Sequence, residues 1–216
     1  MGKDVLRRSR PQTRGVSGLR KNARPALRGG FDFCVAIQQL GQDIVARTPS
    51  LAHVNFQQIA IVFAQARKRV NYGLFASLTP LRFQAGSLNT KRRGRQYTIQ
   101  RLFDPKGVEY LYVLTFYLPR FQDLDLREKL VTIFHELWHI SPAFDGDIRR
   151  HEGRCYAHTG SQAQYDEHME TLVDAWLAQQ PPEALWSFLK LDFAELQGRW
   201  GRVTGARIAR PRLIPE

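Results

Sequence analysis

Apolar residues follow two different periods along this chain, and the change between them separates predicted helices from predicted strands. After Asp32, apolar side chains recur three or four residues apart from Phe33 to Ile44, which predicts a helix that ends near Arg47. Later stretches rich in β-branched and aromatic residues are bounded by Asn, Gly or Pro: residues 59–63, 74–81, 96–103 and 110–118. They predict a small, mostly antiparallel, twisted sheet of about four strands.

A second helix is predicted between Asp125 and Ser141. Asp125 suits the N-cap position and Glu128 completes a capping box, whereas Ser141-Pro142 supplies the stop signal. Between these signals lies one apolar stripe at helical spacing, formed by Leu126, Leu130, Ile133, Phe134 and Leu137. We expect this stripe to pack on the core and the opposite face of the helix to line a cleft.

Two more helices are predicted after an irregular stretch. Ser161 and Gln164 form another capping-box pattern, and the stripe that follows consists of Tyr165, Met169, Leu172, Val173 and Trp176. Pro181-Pro182 ends this helix and begins a last one through Leu185, Phe188 and Leu189. The pattern as a whole predicts an α+β fold with one compact domain over residues 31–199.

Positive charge is concentrated near the start of the chain. The net charge is +12, and residues 1–30 contain nine Lys or Arg against Asp4 alone. This segment has no apolar period, so it predicts a disordered basic tail, and residues 200–216 predict a second one. Such tails could contact nucleic acid by neutralising phosphates, or could serve only as solubilising or targeting segments. A further basic run at residues 91–95 is predicted to be the solvated tip of a hairpin.

The remaining composition narrows the class of protein. A hydrophobic content of 43% is enough for one core. No apolar run approaches the ~20 residues of a membrane span, and no secretory signal pattern is present at the N-terminus. Cys34 and Cys155 are too few for a disulfide framework. We therefore expect a soluble, cytoplasmic protein without membrane contact.

The predicted second helix carries His135-Glu136-Leu137-Trp138-His139, an H-E-x-x-H motif. Residues four apart lie on one face of a helix, so His135 and His139 can both reach a single tetrahedral Zn²⁺. Glu136 borders the same face, where its carboxylate can act as general base toward a water whose pKa the zinc lowers. This combination predicts a zinc hydrolase, and in the first instance a peptidase that acts on protein or peptide substrates.

A catalytic zinc usually takes three protein ligands, so a third donor is expected downstream of His139. His158 is favoured because it lies three residues before the predicted cap of the next helix. His151, in the loop between them, is the second choice. Glu170 and His168 lie well away from the centre of their helix's buried stripe, and His53 is expected at the surface in an upstream loop; all three are less favoured.

The segment H-E-L-W-H-I-S-P-A-F-D-G-D-I-R-R-H, followed by Y-A-H-T-G-S, resembles metallopeptidase-like proteins of phage and bacterial genomes. It is more distantly similar to the SprT-like proteases. The resemblance implies a zincin-like fold in which a twisted sheet packs on the active-site helix, with His135 and His139 as ligands and Glu136 catalytic. In SprT-like proteins the third histidine stands just before a helix, and His158 matches that position.

The sequence suggests two supporting roles but does not decide which residues fill them. Arg149 or Tyr156 could donate a hydrogen bond to the oxyanion of a tetrahedral intermediate. Asp145 or Asp147 could instead accept a hydrogen bond from a ligand imidazole and fix its tautomer.

The same residues are also compatible with other functions. The zinc could be structural, in a nucleic-acid-binding protein whose basic tails carry the function. A protease that acts on DNA-bound proteins would combine both properties. A zinc hydrolase of the RNA-processing type ranks last, because its histidine motif is more compact and lacks the glutamate.

Overall fold

The computed structural model describes residues 29–66, 73–150, 162–208 and 210–216, and the side chains of 162–166 are outside that description. The helices are α1 (Phe33–Arg47), α2 (Leu126–Trp138), α3 (Gln162–Ala178), α4 (Glu183–Trp186) and α5 (Phe193–Trp200). The strands are β1 (Phe31–Asp32), β2 (Ile59–Gln65), β3 (Ala76–Pro80), β4 (Asn89–Arg92), β5 (Arg95–Ile99), β6 (Leu102–Phe103), β7 (Glu109–Tyr110), β8 (Tyr112–Leu118), β9 (Val203–Thr204) and β10 (Leu213–Pro215). Short 3₁₀ turns occupy Pro49–Leu51, Phe56–Gln58, Gln84–Gly86 and Ser187–Lys190.

The central sheet has the strand order β2-β8-β3. Strand β8 pairs in parallel with β2 and antiparallel with β3, so its backbone is hydrogen-bonded on both sides. Side chains of β8 alternate between its two faces, as the pleat requires. Tyr112, Leu114 and Phe116 join the core formed with the helices, whereas Val113 joins a smaller core on the other face.

A second sheet, β10-β5-β4, covers part of that other face. Its hairpin turns at Arg93-Gly94, where both residues have positive φ (50° and 80°), as a tight hairpin turn requires. Ile99 and Leu213 from this sheet pack in the smaller core. The predicted strands 59–63, 74–81 and 110–118 therefore share one sheet, but 96–103 does not join them. The prediction of a single four-stranded sheet was wrong.

The C-terminal segment is held by strand pairing, in contrast to the mobile tail that we expected for residues 200–216. Strand β9 pairs in parallel with β1, and β10 pairs antiparallel with β5. The amide of Glu216 also donates to the carbonyl of Gln96 at 3.2 Å. The predicted basic N-terminal tail lies almost entirely outside the described residues.

Helix α1 begins and ends where the sequence predicts. The Asp32 carboxylate accepts a hydrogen bond from the Val35 amide at 3.0 Å and caps the N-terminus. Gly41 lets this helix approach the Phe56 ring, because a Cβ at that position would lie 2.1 Å from a ring carbon. Asp43 ties α1 to α3 by accepting a hydrogen bond from the Trp176 indole at 3.0 Å.

Helix α2 also confirms its predicted start. Asp125 accepts a hydrogen bond from the Glu128 amide, and the Glu128 carboxylate accepts one from the Asp125 amide, which completes the capping box. The predicted apolar stripe is at the core: Leu130, Ile133, Phe134 and Leu137 are buried, and Leu126 is partly buried. Two charged residues of the same helix are also buried, Lys129 at 2% and Glu136 at 8% exposure.

The downstream helices complete the main core. Met169, Val173 and Trp176 of α3 are fully buried, as predicted, and Leu172 is partly buried. Ser161, the predicted cap of α3, is outside the described residues. The predicted last helix through Leu185, Phe188 and Leu189 is α4 followed by a 3₁₀ turn, with Phe188 and Leu189 buried, and α5 is a further helix that the sequence pattern did not predict. The fold is therefore α+β, as the sequence predicts. Among the helices described, none combines the length and the apolar character that crossing a membrane demands.

Lys129 is expected to be essential for stability, because its ammonium is the hydrogen-bond partner of buried carbonyls. Its Nζ donates to the Leu189 and Leu191 carbonyls at 2.8 and 2.9 Å. We expect Lys129→Ala to lower the free energy of unfolding by about 2–4 kcal/mol, through a cavity and unsatisfied carbonyls. Urea denaturation measures the change. Lys106→Ala, at an exposed position, should change it by less than about 0.5 kcal/mol. Equal effects of the two substitutions would contradict the structural role.

Glu109 is expected to make stability depend on pH. Its carboxylate accepts hydrogen bonds from Arg101 and Arg82, and these bonds lower its pKa from 4.5 to about 2, against the opposing effect of burial. The stabilisation is complete above pH 4.5, the unfolded value, and is lost as the pH falls toward 2. Glu109→Gln should reduce the free energy of unfolding at pH 7 by about 1–2 kcal/mol, because solvent screens the pairs. The gap from the parent should close between pH 4.5 and 2. A constant gap in urea titrations across this range would refute the assignment.

Candidate active site

The H-E-x-x-H motif lies at the C-terminal end of α2, which ends at Trp138 with His139 as its C-cap. His135 and His139 are half-buried and face each other across one helical turn. Their Nε2 atoms are 2.9 Å apart, and the ring planes are inclined by 80° with centroids 4.6 Å apart. The helix therefore brings the two imidazole nitrogens to one point, as the spacing predicts.

This separation fits a shared metal ion. Two nitrogens bound to one tetrahedral zinc at about 2.0–2.1 Å lie about 3.3 Å apart. The Nε2 atoms of His135 and His139 are 2.9 Å apart, so a small movement of either ring would bring them to that separation. Within the described parts of the chain, no third His, Cys, Asp or Glu completes a metal-binding cluster. His158 and His151, the two preferred third ligands, are both outside the described residues.

Glu136 is buried against the sheet, with 8% of its surface exposed. Burial raises the pKa of its carboxyl group from 4.5 to about 7, although a backbone hydrogen bond from Leu78 acts in the opposite direction. Leu78 belongs to β3, so the contact joins the motif helix to an edge of the central sheet. The carboxylate is thus held away from bulk water and beside a strand backbone.

The register of β3 directs part of its backbone away from β8. The amide of Tyr117 donates to the Phe75 carbonyl, and the amide of Leu81 donates to the Leu111 carbonyl, both at 2.9 Å. In an antiparallel pair, hydrogen-bonded and non-hydrogen-bonded positions alternate. Ala76 and Leu78 therefore direct their backbone groups toward the open edge, next to Glu136. Among the described strands, none pairs with this edge.

The loop after the motif is fixed on the core by Tyr112. The buried Tyr112 hydroxyl donates to the Asp147 carbonyl at 2.9 Å and accepts from the Gly146 amide at 3.0 Å. Burial raises the pKa of this hydroxyl to about 12, so it stays protonated and keeps its donor. The Arg149 amide donates to the His139 carbonyl at 2.7 Å. The loop thus returns to the end of α2 and defines its position.

Arg149 interacts with the end of α2, and the oxyanion role suggested for it stays a prediction. Its Nε donates to the Trp138 carbonyl at 2.7 Å, and its guanidinium lies 4.0 Å from the centre of the Trp138 ring. A cation there interacts favourably with the free carbonyls of a helix C-terminus. The exposed His168 ring contacts the same indole edge-on, with centroids 4.6 Å apart. Tyr156, the alternative donor, is outside the described residues.

Other candidate residues also have structural partners. The Asp147 carboxylate accepts two hydrogen bonds from Arg150, at 2.8 and 2.9 Å, and one from the Ile148 amide. Asp145 accepts a hydrogen bond from the Asp147 amide at 3.1 Å. These bonds organise the loop, and a role for either carboxylate as acceptor for a ligand imidazole stays a prediction.

Glu170 is directed away from the histidine pair. Its carboxylate is 55% exposed and lies 3.3 Å from Arg127 of α2. Asp174 binds the same guanidinium at 2.6 Å. Arg127 precedes His135 by two helical turns, a rise of about 12 Å. The acidic pair therefore joins α2 to α3 at the opposite end of α2 from the motif.

His53 differs from the expectation of a surface position. It is half-buried, and burial lowers the pKa of its imidazole, with a further lowering by the positive charge of Arg149. A hydrogen bond with the Ile140 backbone acts in the opposite direction. Sequence reasoning missed this contact, as it missed Tyr112 and Leu78, because no local pattern signals a neighbour distant in the chain.

Comparison with known proteins agrees with the motif. No curated protein and no solved structure gives a significant match to the chain. One family model, described as putative phage metallopeptidase, matches residues 34–175, about two thirds of the chain and the whole of α2. The match confirms the resemblance noted in the sequence, and the chain belongs to this phage metallopeptidase family.

Proposed function

We propose that this protein is a zinc-dependent peptidase that uses Glu136 to activate water for attack on a peptide bond. The observation that carries the proposal is the 2.9 Å approach of the His135 and His139 nitrogens on the helix that also holds the buried Glu136. Membership of the phage metallopeptidase family supports the same reaction class. The sheet packed against α2 is consistent with a zincin-like arrangement.

His135 and His139 would hold the metal through their Nε2 atoms. We propose His158 as the third ligand, with His151 as the second choice. When bound, zinc polarises the substrate carbonyl and lowers the pKa of a coordinated water. Imidazole ligands suit zinc, which is the metal that this donor set favours.

Glu136 would move the proton during the reaction. Its carboxylate accepts a proton from the attacking water and delivers it to the nitrogen of the departing amine. Burial beside β3 keeps competing bulk water away from this carboxylate.

The open edge of β3 would position the substrate. Backbone groups of Ala76 and Leu78 can pair with an extended peptide, which adds a strand to the sheet. Because the Leu78 amide lies beside Glu136, a peptide bound there would have a carbonyl close to the catalytic carboxylate. Main-chain pairing of this kind selects extended conformation more than side-chain identity.

A structural zinc in a nucleic-acid-binding protein is the alternative that the net charge of +12 favours. In that case Glu136 would have no chemical role. The two functions therefore predict different effects on hydrolysis when the charge of Glu136 is removed.

Glu136→Gln is expected to abolish hydrolysis without removing the metal. The amide keeps the side-chain shape but cannot accept the proton, so cleavage of a fluorogenic casein should fall by at least about 10²-fold. Zinc per chain, measured by elemental mass spectrometry, should be unchanged. Glu170→Gln is the matched control and should retain both activity and zinc. Unchanged activity in Glu136→Gln would favour the structural role, and zinc loss in Glu170→Gln would make Glu170 a ligand.

The third ligand is expected to be identified by metal content. His158→Ala should lose zinc, whereas His151→Ala should retain it, because the site needs three protein donors. His168→Ala is the control, since that ring packs on Trp138. All variants are purified identically and measured for zinc per chain, with circular dichroism to confirm folding. Selective loss in His151→Ala would reverse the assignment, and no zinc in the parent protein would refute the metal site.

A further inference from the structure

A cleft of about 640 Å³ lies on the face of the central sheet opposite α2. Strands β2, β8 and β3 form its floor, and residues 207–211, except the undescribed position 209, form one wall. The second sheet covers only part of this face. We call this space the sheet cleft. Its volume is in the range of specific ligand sites.

The floor of the sheet cleft is rich in hydroxyl groups. Ser77, Thr79, Thr115 and Tyr117 all line it, because odd-numbered positions of β3 and β8 share this face. The Ser77 and Tyr117 hydroxyl oxygens are 3.3 Å apart. Val62 and Val113 lie beside them and are buried, at 4% and 5% exposure. The floor therefore offers mainly hydrogen-bonding groups, with the Tyr117 ring among them.

The charge of the sheet cleft is positive. Arg207 and Arg210 line the wall, and the described lining contains no Asp or Glu. Both arginines are exposed, and in the described part of the chain neither forms a salt bridge. The Arg207 guanidinium lies 5.6 Å from the centre of the Phe63 ring, which packs with Phe33 in the main core, so this cation lies at the β2 rim of the cleft. The wall and rim of the cleft therefore carry two cations that an anionic ligand could contact.

The positive surface continues beyond the sheet cleft. A neighbouring depression of about 410 Å³ shares Thr79 and Pro211 with it. Arg92 and Arg150 line this depression, together with Phe83. Arg150 is paired with the Asp147 carboxylate, and the buried Arg82 is paired with Glu109, so the added positive charge is mainly that of Arg92. An elongated basic path suits a chain of phosphates better than a single anion.

We infer that this path binds single-stranded nucleic acid. Arg207, Arg210 and Arg92 would contact successive phosphates, and the half-buried ring of Tyr117 on the cleft floor would stack with a base. Proteins that bind single strands combine a positive groove with aromatic stacking surfaces in this way. A duplex would stack no base on Tyr117, because its bases are paired inside.

The inference goes beyond the proposed peptidase and does not depend on it. The side chains of Ser77 and Thr79 face the cleft, whereas the open backbone edge of the same strand faces Glu136. A bound strand would therefore leave the histidine pair accessible. Nucleic-acid binding and peptide hydrolysis can be measured separately.

The test is fluorescence anisotropy with a labelled single-stranded oligothymidylate and the full chain. Arg207→Gln/Arg210→Gln should weaken binding by at least about tenfold and reduce the slope of log K against log salt by about 1.4, since each phosphate contact contributes about 0.7. The matched control is Lys106→Gln/Arg199→Gln, which removes two charges outside both depressions. The basic residues 1–28 are present in every variant, so any contribution from them is constant.

A second variant tests the floor of the sheet cleft independently of its arginines. Ser77→Asp places a carboxylate on the floor and should weaken binding to a similar degree, with the fold checked by circular dichroism. Equal losses in the charge control, or no loss in the Arg207 and Arg210 variant, would overturn the site. Tighter binding of a duplex of the same length would overturn the single-strand assignment. Glu136→Gln should bind the oligonucleotide normally, so failure of the peptidase proposal would be recognised independently.

Discussion

The structure depends on strand β8, which is hydrogen-bonded along both edges, packed against the helices on one face and partly covered on the other. Its pairing with β2 and β3 satisfies its backbone without solvent. One set of its side chains packs against the helices, and the first of these, Tyr112, also anchors the loop that returns to His139. The position of α2, and with it the motif, therefore depends both on core packing and on the loop that Tyr112 holds.

Local signals in the sequence were sufficient for the start of α1 and of α2. Asp125 caps α2 as predicted, and Asp32 caps α1 at its predicted start, because a capping side chain bonds amides only two or three positions away. Strand pairing is different, since partners are distant in the chain and compete with one another. No local sequence pattern signals that β2 pairs in parallel with β8, or that residues 213–215 pair with β5.

The candidate site likewise has some features that the sequence predicts and others that it does not. The approach of His135 and His139 was predictable because it is a property of one helical turn. The burial of Glu136 beside Leu78 was not, because it depends on how α2 meets β3. Lys129 is a similar case: its position within a buried helix face is unusual for a charged residue, and the carbonyls that accept its hydrogen bonds come from a distant turn.

Strand β3 takes part in three surfaces, and its geometry keeps them apart. Its backbone bonds to β8 on one edge and is open on the other, where Leu78 meets Glu136. Its odd-numbered side chains form part of the hydroxyl-rich cleft on the opposite face from α2. A strand can separate such surfaces because edges and faces are perpendicular. A shift of one residue in the β3–β8 register would exchange the two faces and the two edges of β3. The Ser77 side chain would then turn toward the helices, and the backbone groups of Leu78 would turn toward β8. The same register therefore sets the edge beside the Glu136 carboxylate and the polarity of the cleft on the opposite face of the sheet.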